Sequence, residues 1–115
     1  MFLLRSLRIA AISATFSVAC MPAYAAQFTS ADFLKWKAAG RDLYIDTTVG
    51  TALMIADQND KSHAKCLEDW YFSNKEAANK EIYGAMEANV KYHPRVVIVG
   101  MLQKKCGTFK YRNEN

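Results

Sequence analysis

The stretch His93-Pro94-Arg95-Val96-Val97-Ile98-Val99-Gly100-Met101-Leu102-Gln103-Lys104-Lys105-Cys106-Gly107 decides the fold class. By side-chain propensity Val96 to Val99 is a strand. The flanks favour a buried helix instead. Pro94 suits a first helical turn, Lys104 and Lys105 fall where a last turn would be, and Gly107 is a stop signal. A strand over residues 96–102 remains the alternative, but no other segment reads as a strand to pair with it. With this stretch helical, the chain is expected to be all-α: a small bundle of about four helices.

Upstream, Ser73-Asn74-Lys75-Glu76 has the capping-box pattern, Ser at the cap and Glu three residues on. It opens a helix expected to run to about Tyr92, with Ala78, Ile82, Ala85, Met86, Asn89 and Val90 along one face. His93-Pro94 ends it, because the residue before proline is pushed out of the helical region. Before the cap, Leu67, Trp70, Tyr71 and Phe72 form an aromatic cluster expected to pack on the core beside Cys66. Asp57 to Lys65 is polar and turn-rich, and predicts an exposed loop.

The first segment is expected to be helical over about 30–57, with Thr29 or Ser30 as cap and Asp32 in the first turn. Phe33, Trp36, Gly40, Leu43, Thr47, Gly50 and Met54 follow steps of three and four, and Ile45, Val49, Ala52 and Ala56 form a second apolar row. Gly40 and Gly50 each weaken a helix by about 1 kcal/mol relative to Ala. Two helices with a break near Gly40, or one kinked helix, fit this pattern.

At the N-terminus Arg5 and Arg8 precede an uncharged, mostly apolar stretch from Ile9 to Cys20, and Ala23-Tyr24-Ala25-Ala26 offers small residues for cleavage. Residues 1–25 are therefore expected to be a signal peptide and 26–115 one exported, periplasmic domain. The apolar stretch is shorter than the roughly 20 residues a membrane span needs, so no stable membrane insertion is expected after cleavage. Cys20 follows Ser17-Val18-Ala19, a poor context for lipidation. The chain has 15 Lys and Arg against 11 Asp and Glu, net +4. Arg5 and Arg8 leave with the signal peptide, so 13 cations face 11 acids in the remainder. That near-neutral mixture argues against nucleic acid as a partner.

Cys66 and Cys106 survive cleavage, and an even count in a short exported chain reads as a disulfide. It would close a loop of about 40 residues, leaving the first half of the domain held by packing alone. No metal-ligand spacing, HExxH, GxSxG, P-loop or GxGxxG is present, so neither a cofactor nor an enzyme activity is expected. His63 and His93 have no nucleophile near them in sequence. Glu68 and Asp69 are adjacent and would diverge on a helix. Trp36, Tyr44, Trp70, Tyr71 and Phe72 fit core and interface better than a ligand box. What remains is binding, and the candidate partner-binding residues are Asp57, Asn59, Asp60, Lys61, His63 and Lys65, in the segment pinned at one end by Cys66.

In their order, Tyr44-Ile45-Asp46-Thr47-Thr48-Val49-Gly50-Thr51-Ala52-Leu53, a polar segment, a cysteine, a capped helix, Tyr92-His93-Pro94 and a last helix ending in a cysteine resemble the small periplasmic immunity proteins of the Rap/Tai type. The resemblance covers about Phe28 to Cys106. It implies a helical protein, often a homodimer, that binds and blocks a peptidoglycan amidase effector delivered by type VI secretion. A second resemblance, carried by Ala31-Asp32-Phe33-Leu34 and the amphipathic segment after it, is to the HdeA-type acid-stress chaperones. It implies a small periplasmic helical protein that exposes apolar surface when acid protonates its carboxylates.

Overall fold

The computed structural model describes residues 27–110, and every regular element in that range is helical. The expected signal peptide, its cleavage site and Cys20 lie outside the described residues, as does 111–115 of the tail. The elements are α1 (Ser30–Leu34), α2 (Ala38–Asn59), α3 (Lys61–Leu67), a π-helical turn (Glu68–Phe72), α4 (Lys75–Ala88) and α5 (Pro94–Cys106). The all-α expectation holds, including for the valine run. His93 caps α5 by accepting the Arg95 N–H on Nδ1 at 3.1 Å, Pro94 occupies the first turn, and Gly107 closes the helix at φ 88°. That left-handed conformation is one glycine adopts without penalty.

The first segment is two helices, but the break falls at residues 35–37 rather than at Gly40, which lies within α2. Thr29 and Asp32 form a reciprocal capping box on α1. The Lys35 and Trp36 N–H groups then bond three residues back, to Asp32 and Phe33. This tight turn lays Trp36 on Phe28, with ring centroids 5.1 Å apart and stacked. Of the two apolar rows on α2, only Ile45, Val49, Ala52 and Ala56 are buried, while Leu43 and Met54 are 66% and 68% exposed.

Asp57 to Lys65 is not a loop. α2 continues to Asn59, and a single extended residue, Asp60, redirects the chain into α3. Its carboxylate accepts the Ser62 and His63 N–H groups at 3.1 and 3.3 Å. The polar residues on either side are helix surface, stitched by the i,i+4 ion pairs Lys61–Asp57 and Lys65–Asp69. Without Gly or Pro, one capping aspartate suffices to turn the chain.

The cap of α4 sits one residue later than the Ser73 box predicts. Ser73 is still in helical conformation at the end of the π turn, and Asn74 accepts the Ala77 N–H at 3.3 Å. Replacing Asn74 with Ala is expected to cost about 1 kcal/mol in urea unfolding, and Ser73→Ala a few tenths at most. Equal losses at both sites would contradict this placement. The helix ends at Ala88, short of Tyr92, and the residues after it receive α1. The Ser30 N–H donates to the Tyr92 carbonyl at 2.7 Å and the Ala31 N–H to the Val90 carbonyl at 3.0 Å. The Ser30 hydroxyl also donates to Tyr92 O, at 2.8 Å. The first half is thus tied to the second by hydrogen bonds across the chain, not by packing alone.

The core gathers Phe33, Ile45, Val49, Leu67, Tyr71, Ile82, Met86, Ile98 and Leu102. The helix α2 packs on α3 and α5, α4 on α5 and the π turn, and α1 on α4 and α5. The expected disulfide joins Cys66 in α3 to Cys106 at the end of α5, with Cα atoms 5.7 Å apart. Among the described residues no helix is long and apolar enough to cross a membrane.

Candidate functional site

Where α2 and α4 face one another, side chains rather than close backbone packing join them, and a cleft of about 630 Å³ opens. Asp42 and Asp46 stand one turn apart on α2, and Asn79 and Tyr83 one turn apart on α4. The π turn supplies Tyr71, and Lys75, Glu76 and Lys80 complete the walls with Leu43. Widened turns of this kind insert one residue more than an α-turn and recur at functional sites. Here the turn buries Tyr71 completely while its hydroxyl reaches the cleft network.

That network runs inward. The Tyr71 hydroxyl donates to Asn79 Oδ1 at 2.9 Å, the Asn79 amide donates to Asp42 Oδ1 at 3.5 Å, and the Tyr83 hydroxyl donates to the same Asp42 oxygen. Lys75 pairs with Asp46 across the cleft, and the Arg41 guanidinium lies 4.7 Å above the Tyr83 ring. Burial, reinforced by the nearby Asp46 charge, pushes the Tyr71 phenol up to about 12. Burial also raises Tyr83, helped by its bond to Asp42, which stabilises the neutral phenol.

These folded values lie above the unfolded value of 10.0. The stability they contribute is present below that pH and is lost as the pH climbs through the folded values. Ultraviolet titration of the phenols should therefore show two late ionisations, with unfolding free energy falling between pH 10.0 and about 12. Both tyrosines ionising near the ordinary value would show that the network does not form.

The six residues singled out in the sequence fall on two different sides of α3. Asp57, Lys61 and Lys65 line a shallow groove of about 340 Å³ with Leu53, Met54, Ala64 and Glu68. Asp60 and His63 line another, of about 220 Å³, beside Cys106, Gly107, Thr108 and Lys110. Asn59 turns back on its own helix, its amide donating to the Ile55 carbonyl at 2.8 Å. His63 is only 6% exposed, its ring edge-on to Phe109 at 4.7 Å, and its Nε2 has no hydrogen-bond partner. The Ser62 and His63 bonds hold the Asp60 carboxyl down at about 2.

Asp42, Asp46, Tyr71, Asn79 and Tyr83 were not candidates from sequence. A signal for them existed: two aspartates four apart interrupt the otherwise apolar and small face pattern of α2, and Asn79 lies four residues before Tyr83 on α4. Spacing alone could not pair the two helices. Next to the cleft, α2 presents Thr47, Thr51, Met54 and Ile55 outward, and no residue from 47 to 56 is charged. The Thr47 and Thr51 hydroxyls donate to the Leu43 and Thr47 carbonyls at 2.7 and 2.9 Å, so this face exposes few unsatisfied donors. Comparison with family models, curated proteins and solved structures gives no match to this chain.

Proposed function

We propose that the chain is an exported, periplasmic protein-binding domain of the immunity type, which inhibits a peptidoglycan amidase effector by covering part of its surface. The observation that carries this is the uncharged outer face of α2, with Met54 68% exposed and two threonine hydroxyls satisfied within the helix. A surface with little polar demand loses little when dehydrated, which suits the dry centre of an interface. The disulfide fits an oxidising compartment. Support also comes from the order of motifs between Phe28 and Cys106.

The test is co-purification with candidate amidases, followed by inhibition of peptidoglycan cleavage. Met54→Glu on the same face is expected to weaken the complex about hundredfold by burying an unpaired charge, with thermal stability unchanged because the side chain is exposed. Failure to bind any amidase sinks the proposal. Protection of denatured clients in strong acid, without amidase binding, would instead support the chaperone alternative.

A further inference from the structure

We infer that the groove between α2 and α5 holds a segment of the partner protein that brings an apolar side chain and, beside it, a carboxylate for Arg95. This deepens the function proposed above and rests on it. The groove has a volume of about 450 Å³, in the range of pockets that enclose small ligands. Ala52, Ile55, Val99 and Phe109 give it an apolar lining. Thr47, Thr48 and Thr51 complete the α2 wall, and their hydroxyls donate to the Leu43, Tyr44 and Thr47 carbonyls at 2.7, 2.8 and 2.9 Å. Those hydrogens are spent within the helix, so an apolar occupant strips no free hydroxyl donor of its water.

Among the described residues that line the groove, Arg95 alone is charged. Residues 47–56 of α2 carry no charge, and α5 carries no acid. Arg95 joins none of the ion pairs among the described residues. The aspartates on either side of the α2 wall are taken, Asp46 by Lys75 and Asp57 by Lys61. The Arg95 guanidinium lies 5.6 Å over the Tyr44 ring. Stacking uses a face of the guanidinium and leaves its N–H edge, which takes a carboxylate in two parallel bonds. A cationic occupant is repelled by the same group. Arg95 stands in the first turn of α5 and Phe109 beyond its last, so they mark opposite ends of the groove, and the apolar side chain lies between them. An occupant that excludes water there also strengthens the ion pair beside it.

The proposal is tested by nuclear magnetic resonance titration of the disulfide-bonded protein with the blocked peptide acetyl-Leu-Ala-Ala-Glu-amide and its Gln counterpart. Saturable shifts are expected at Thr47, Thr51, Val99 and Phe109. The Gln peptide should bind about fivefold more weakly, because it forfeits the charge-assisted bonds. Arg95→Gln should erase that difference while leaving the affinity for the Gln peptide unchanged, a result that misfolding cannot produce. Thr51→Glu supplies a carboxylate from the groove's own wall and should abolish binding of the Glu peptide. No saturable shift, equal binding of the two peptides, or a Glu preference that persists in Arg95→Gln overturns the proposal. Octanoate binding more tightly than the Glu peptide assigns the groove to a lipid and overturns the partner assignment. Tighter peptide binding by a chain ending at Lys110 assigns it to residues 111–115, with the same consequence. So do shifts at these residues that grow with protein concentration alone, which assign it to a second copy. An amidase complex weakened by Met54→Glu but indifferent to Arg95→Gln refutes this proposal alone.

Discussion

Unfolded in urea with the Cys66–Cys106 disulfide removed, as Cys66→Ser with Cys106→Ser, the protein is expected to lose about 4 kcal/mol of stability. The chain-entropy relation gives this value for a closed loop of 40 residues. Small domains have a margin of roughly 5–15 kcal/mol in total, so the loss takes from about a quarter to about four-fifths of it. The geometry makes a large effect reasonable. Within the loop lie Leu67, Tyr71, Ile82, Met86, Ile98 and Leu102, most of the fully buried side chains. The helix it anchors, α3, has seven residues, too few to hold its shape without tertiary support. Reduction should give the same loss as the double variant, with the slope of the urea curve raised as the denatured state expands. A loss below about 1 kcal/mol would mean that the unfolded chain is already constrained around Cys66 and Cys106 by residual structure.

How far the sequence could be read depended on how local the deciding interactions were. The α5 assignment rested on Pro94, the terminal lysines and Gly107, all signals within the helix itself, and it held against the strand propensity of four β-branched residues. The same locality misled at Asp57–Lys65. A run of polar residues looks identical whether it is a loop or the solvent side of two short helices, and only the Asp60 cap distinguishes them. The π turn left no mark at all: nothing in Glu68 to Phe72 announces an extra residue in the turn, yet that residue sets where Tyr71 points. The cleft failed to appear for a related reason. Its members come from residues 42 to 83, and the distance that matters, between Asp42 and Tyr83, is created by how α2 and α4 pack around the same core. By sequence His63 belongs to an exposed segment, because its neighbours are polar. Phe109, 46 positions later, is what covers it.

The second large effect is expected at Phe33. Replacing it with Ala should cost about 3–5 kcal/mol, the range for deleting a buried aromatic ring. Phe33 is fully buried, with its ring centroid 5.1 Å from Tyr44, 5.3 Å from Trp36 and 6.4 Å from Phe28. It is also the main apolar anchor of α1, five residues that cannot be helical on their own. Whether the full cost registers depends on cooperativity. The Ser30 and Ala31 amides bond to the segment between α4 and α5, so α1 is coupled to the part of the chain closed by the disulfide. If that coupling makes the domain a single unit, Phe33→Ala lowers global stability by the full amount. Exchange protection at Ser30, Ala31, Ile98 and Leu102 then falls together. If α1 detaches first, Ser30 and Ala31 exchange quickly in the variant while Ile98 and Leu102 keep their protection, and the measured loss stops at the free energy of undocking. The bonds from Ser30 to Tyr92 favour the first outcome. A loss under about 1 kcal/mol, with only the α1 amides affected, would show that those bonds do not couple the two halves.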